Sequence, residues 1–103
     1  MAEKLLNLKF DKEYRQYLKE FGIVAYDGHE LTGLTKSKRT NVVSVTKEEL
    51  EAVKDAPKDM YVIERTNFEG IIIWQSEQGA IYYSSPNKEL TKIYDSLREY
   101  LLA

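Results

Sequence analysis

The residues of this chain that could do chemistry are few and scattered. His29 is the sole histidine. A metal centre would need companions at ligand spacing, and a nucleophilic triad would need a serine or cysteine in a recognisable setting, so His29 reads as a solvent-side residue beside the Asp27-Gly28 turn. Ser84 and Ser85 stand before Pro86 without the Gly-x-Ser-x-Gly elbow that raises a serine nucleophile, and they read as turn residues. Seventeen carboxylates leave room for a close acid/base pair. Most are interleaved with Lys or Arg, however, as across residues 47–51, where solvation and i,i+4 pairing account for them. The five glycines fall singly at turn positions, so no phosphate-cradling loop is present. Lys36, Lys38 and Arg39 could touch phosphate, but three charges in a polar stretch read as a mobile, solvated loop. Trp74 has two readings: core packing, the stronger, and a ligand-stacking platform or protein hot spot.

Size and composition bound the rest. At 103 residues, with 43% hydrophobic and 31% charged, the chain is one ordinary globular domain with a single core. Cysteine is absent, which removes disulfides and thiolate metal sites. No signal-peptide-like or membrane-spanning apolar run occurs, so a cytoplasmic address is expected. A net charge of -2 and a pI near 5.5 disfavour direct nucleic-acid binding, which relies on phosphate attraction.

These side chains must be positioned by short elements. Phe10, Tyr14, Tyr17, Leu18 and Phe21 make one helical stripe, with Asp11 as N-cap and Gly22 at the end. Residues 23–26 and 30–34 flank Asp27-Gly28 as a hairpin. Thr46 and Glu49 have capping-box spacing, which predicts a helix over 47–54 or one starting earlier, at the valines. Strands are expected over 60–65, 70–75 and 80–84, with a further extended piece at 91–93. Ser96 and Glu99 then cap a last helix bearing Leu97, Tyr100 and Leu101. The expected fold is α+β: an antiparallel, twisted sheet of five to six strands with two to three short helices. In residues 70–74, Ile71 and Ile73 oppose Ile72 and Trp74, so both faces of that strand are apolar. Either residues 42–50 fold across the second face, or an aromatic patch is left for a partner.

The run Phe10-Asp11-Lys12-Glu13-Tyr14-Arg15-Gln16-Tyr17-Leu18-Lys19-Glu20-Phe21-Gly22 resembles the opening signature of the SMI1/KNR4 superfamily, also called SUKH. Tyr26-Asp27-Gly28-His29-Glu30, Gly33-Leu34, Asn41-Val42-Val43, Pro57-Lys58-Asp59-Met60-Tyr61-Val62-Ile63-Glu64, Glu69-Gly70-Ile71, Asp95-Ser96-Leu97 and Glu99-Tyr100-Leu101 continue the resemblance in unbroken order. It implies a single domain over residues 1–103 without shared catalytic residues, whose bacterial members are mostly immunity proteins for toxins, often nucleases, and whose eukaryotic namesake regulates cell-wall glucan synthesis. The start departs from the pattern. Members usually have another helix before the Tyr-containing one, whereas here the N-terminus is shortened to residues 2–7, and Asp11 replaces the customary Pro. The missing cover is expected to expose apolar surface near Leu5, Leu6 and Leu8, which a homodimer or a partner would fill.

The function expected from the resemblance is a non-catalytic, cytoplasmic immunity protein that occludes a cognate toxin domain. It needs no cofactor or metal, and it works as a monomer or weak homodimer. An acidic, aromatic surface would meet the toxin's basic cleft, with Asp27, His29 and Glu30 at the hairpin tip and Glu64, Trp74 and Glu77 around the sheet as the contact residues. The alternatives are a regulatory protein-interaction module of the same family type and a small ligand-binding protein or enzyme.

Overall fold

Six residues are too few for helical periodicity to be read, yet the N-terminal segment forms a helix. The computed structural model describes residues 2–21, 25–26, 29–52, 59–66, 70–86 and 88–102, and in it α1 covers Ala2–Leu6. Asn7 ends the helix with a left-handed φ of 57°. Its N–H donates to the Lys4 carbonyl (3.3 Å) and that of Leu8 to the Glu3 carbonyl (3.1 Å), the paired bonds of a Schellman cap. Glu3 Oε2 accepts from the Phe10 amide and from Arg15, each at 2.7 Å. The Arg15 guanidinium and that amide hold the Glu3 carboxyl below its usual range. The expected exposure at the N-terminus is therefore partial: Ala2 and Leu8 are buried while Leu5 remains 54% exposed.

Helix α2 (Lys12–Phe21) begins as expected, with Asp11 Oδ2 accepting from the Glu13 amide at 3.0 Å. Its stripe buries Tyr14, Tyr17 and Leu18. Strands β1 (Ala25–Tyr26) and β2 (His29–Glu30) pair antiparallel as the hairpin. The turn residues Asp27 and Gly28, and the expected helix end at Gly22, lie outside the described residues.

Helix α3 runs over Val42–Ala52, so it starts at the valines. Asn41 is its cap, Oδ1 accepting from the Val43 and Ser44 amides at 3.0 and 3.2 Å. The Thr46–Glu49 pair is thus not a capping box. Thr46 Oγ1 instead accepts from the Val62 amide (3.0 Å), and Glu49 accepts from Arg65 (3.1 Å).

Strands β3 (Met60–Arg65), β4 (Ile72–Ser76), β5 (Ile81–Ser85) and β6 (Lys88–Tyr94) form one antiparallel sheet in the order β3-β4-β5-β6. The expected single sheet of five to six strands is thus four strands plus a separate two-stranded ribbon. The ribbon reaches β3 through the Thr32 amide on the Ile63 carbonyl (2.8 Å) and the Glu30 amide on the Glu64 side chain (3.2 Å), which does not amount to a ladder. Helix α4 (Leu97–Leu102) closes the chain. Ser96 Oγ accepts from the Glu99 amide (3.1 Å) and Glu99 from the Asp95 amide (3.3 Å), a capping box shifted by one residue.

Both sheet faces are apolar and both are covered. On one face Tyr61, Ile63, Ile73 and Ile81 pack with Phe10, Tyr14, Leu18, Leu97 and Tyr100. On the other Val62 and Trp74 pack with Met60 and Val45, and Leu50, Ile72, Tyr82 and Leu90 are partly buried around them. Of the two sequence alternatives, the fold across the second face by α3 is the one realised.

Tyr61 joins α2 to the sheet. Its hydroxyl accepts from the Asp11 amide (2.9 Å) and donates to Gln75 Oε1 (2.6 Å); Gln75 Nε2 donates to the Gly79 carbonyl (3.1 Å). Gly79 has φ +101°, and a Cβ there would stand 2.7 Å from Asp11 Oδ1, so only glycine permits this approach. Tyr61→Phe keeps the ring and orphans the buried Gln75 oxygen. The expected cost is about 1–3 kcal/mol, read as a lower denaturant midpoint at unchanged m-value.

Candidate functional site

Residues 35–41 were expected to be a mobile loop because they are polar. They are instead held by hydrogen bonds of their own backbone and side chains. Gly33 N–H donates to the Thr40 carbonyl (2.9 Å), Asn41 N–H to the Ser37 carbonyl (2.9 Å) and Val42 N–H to the Gly33 carbonyl (2.8 Å). Thr35 Oγ1 donates to the Ser37 carbonyl (3.0 Å) and meets the Thr40 hydroxyl (3.0 Å), while Asn41 Nδ2 donates to the Thr35 carbonyl (2.8 Å). Thr40 is buried. Asn41 is pivotal because it closes the loop with its amide nitrogen and caps α3 with its amide oxygen.

This scaffold pushes outward Leu34, 53% exposed, with Lys36, Ser37, Lys38 and Arg39 also at the surface. Arg39 pairs with Glu30 Oε1 at 2.6 Å, which ties the loop to the β1–β2 hairpin. An exposed pair of this kind adds little stability; its effect is orientation. Lys36 and Lys38 make no ion pair among the described residues. The outcome is an ordered patch carrying an apolar tip and charges of both signs.

Beneath the patch lies Glu64. A bulge between Val62 and Glu64 sets it opposite Ile73, where it is buried. Its Oε1 accepts from the Tyr100 hydroxyl and its Oε2 from the Glu30 amide (3.2 Å). One buried carboxylate therefore links β2, β3 and α4. Burial first, and then the adjacent Glu64 carboxylate, push the Tyr100 phenol upward from its ordinary value. Tyr14 braces the same corner, its hydroxyl donating to the Thr32 carbonyl (3.0 Å) while Thr32 Oγ1 donates to the Val62 carbonyl (2.7 Å).

The six residues expected to contact a partner are not one patch. Glu30 and Glu64 come together, Glu30 exposed and Glu64 inside. His29 lies in β2, paired with Tyr26, and Asp27 lies outside the described residues. Trp74 is fully buried on the opposite sheet face, with Nε1 donating to Ser84 Oγ at 2.9 Å; this is the core-packing reading. Glu77 is half-buried in the β4–β5 turn and accepts from the Lys9 amide at 2.7 Å. That turn follows Ser76, which pairs with Met60 at the start of β3, so Glu77 lies at the far end of the sheet from Glu64. Leu34 and its supporting network were missed by sequence reasoning. The signal available was the density of Thr35, Ser37, Thr40 and Asn41, side chains that bond readily to nearby backbone.

Among the described residues no group of three or more His, Asp or Glu is placed to hold a metal ion, and no helix is long and apolar enough to cross a membrane. A sequence model of the SUKH group, described as SMI1-KNR4 cell-wall, matches residues 1–103. No curated protein matches the chain.

Proposed function

The chain belongs to the SMI1-KNR4 (SUKH) family, and we propose that it is an immunity protein that binds a cognate toxin domain, a nuclease in this reading, and silences it by occlusion. The observation behind the proposal is the family match over the whole of residues 1–103. The patch around β2 supports it. A loop ordered in advance loses little freedom when a partner settles on it. An exposed leucine among charges of both signs suits a protein surface better than a phosphate backbone. In this reading Glu30, Leu34, Lys36 and Lys38 meet the partner together with Asp27 and His29 of the hairpin, and Glu77 makes a separate contact. Glu64 and Trp74 act from inside by holding the hairpin and the sheet. The protein works in the cytoplasm, without catalysis, by stoichiometric binding.

The test is growth. The polypeptide encoded beside this chain's reading frame is expressed alone and then together with the chain; arrest relieved by co-expression is the expected outcome, and arrest that the chain leaves untouched would overturn the proposal. Leu34→Asp should weaken partner binding by about tenfold or more while leaving the melting temperature in place, because the side chain is half exposed. A second reading, a regulatory module that binds a cellular protein, is favoured by the cell-wall description of the matching family. In that case no toxic neighbour exists and the same patch serves a different protein.

A further inference from the structure

We propose that the groove between α2 and α4 is a self-association surface that takes the same groove of a second copy of this chain. The groove encloses about 340 Å³ and is lined by Glu13, Leu97, Arg98, Leu101 and Leu102. Leu102 stands 65% exposed at its rim, so one small surface holds both an apolar recess and an apolar projection. Glu13 and Arg98 line the same recess, and neither side chain makes an ion pair or a hydrogen bond within the chain among the described residues. A two-fold axis through the groove pairs unlike elements: residue i of one copy meets residue j of the other, and j meets i. Arg98 of each copy then faces Glu13 of the other, and each Leu102 enters the opposite recess. Both unpartnered charges gain a partner while apolar surface leaves water.

The free sheet edge is a poorer self-association surface. Strand β6 ends the sheet order, but its register with β5 shifts twice and it exposes Lys92, devices that discourage strand pairing. A surface of five lining residues is well below the ~800 Å² per partner of a stable interface, so the dimer is weak and forms only at high protein concentration.

Sedimentation equilibrium of the whole chain over a wide concentration range tests the proposal. The expected result is a reversible rise from 12.0 kDa toward twice that mass. Arg98→Glu or Glu13→Arg alone should weaken association about tenfold or more, and the double reversal should restore it. Leu102→Asp should abolish association with an unchanged melting temperature. A chain that stays monomeric up to about 1 mM overturns the proposal, as does association indifferent to either reversal or a double variant that fails to recover. Toxin binding does not enter this experiment, so its outcome is independent of the immunity reading.

Discussion

Trp74→Ala is expected to destabilise the protein by about 3–5 kcal/mol, the range for emptying a large aromatic site in a packed core. Trp74 is fully buried. It stands between Val62 and Tyr82 in strand register and packs with Val45 and Met60, so it fastens α3 to the second face of the sheet. The substitution also removes the indole donor from Ser84 Oγ, a buried hydroxyl. Against a total stability of about 5–15 kcal/mol for a domain of this class, the loss puts the variant near unfolding at physiological temperature. Trp74→Phe retains most of the ring and loses the hydrogen bond, so it should cost distinctly less. Urea denaturation of the three proteins at constant m-value measures the series. A Trp74→Ala loss below about 1 kcal/mol would mean that α3 is held to the sheet by other contacts.

The second large effect is alkaline unfolding. Burial pushes the phenols of Tyr14, Tyr61 and Tyr100 well above the ordinary value of 10.0, since a phenolate in these sites would lose its hydration. Below about pH 10 both folded and unfolded chains keep these protons, and the stability associated with them is fully present. Above it the unfolded chain releases protons that the folded chain retains, so stability falls with rising pH. Each phenol contributes up to about 1.4 kcal/mol per pH unit. Three together give at most about 4 kcal/mol per pH unit, enough to erode an ordinary domain stability within a unit or two above the ordinary phenol range. A step in phenolate absorbance should therefore coincide with loss of the far-ultraviolet dichroism. Complete phenolate formation in a chain that keeps its dichroism would contradict the burial of these hydroxyls.

Much of the fold was legible because its determinants are local. The stripe Phe10, Tyr14, Tyr17, Leu18 reports a helix face directly, and Asp11 caps it as its type suggests. The doubly apolar residues 71–74 implied a sheet with two apolar faces but left open whether the chain or a partner covers the second, which α3 does. Elements whose cause is tertiary were harder to read. Helix α1 is five residues long and is placed by tertiary contacts, Ala2 in the core and Glu3 with Arg15, which no periodicity reveals. Thr46 and Glu49 matched a capping box by spacing, but Asn41 supplies the cap and the pair bonds to β3 instead.

The candidate site was less legible still. Glu64 and Trp74 have residue types common at protein surfaces and interfaces, yet a bulge and strand alternation turn both inward. Polarity suggested mobility for residues 35–41, whereas hydroxyl and amide groups at that density satisfy one another and the backbone. Leu34 carries no signal on its own. It becomes a candidate contact only because the loop that presents it is ordered and is tethered to Glu30 through Arg39.

Binding through the ordered patch is best tested by affinity capture from the cells that make this protein. Wild type is compared with the Leu34→Asp, Lys36→Glu, Lys38→Glu triple variant after a high-salt wash, with melting temperatures shown to match. One stoichiometric protein bearing a toxic domain is expected, retained by wild type and lost from the variant. A partner held equally by both would contradict the assignment of this surface, and a partner without toxic activity would contradict the immunity function.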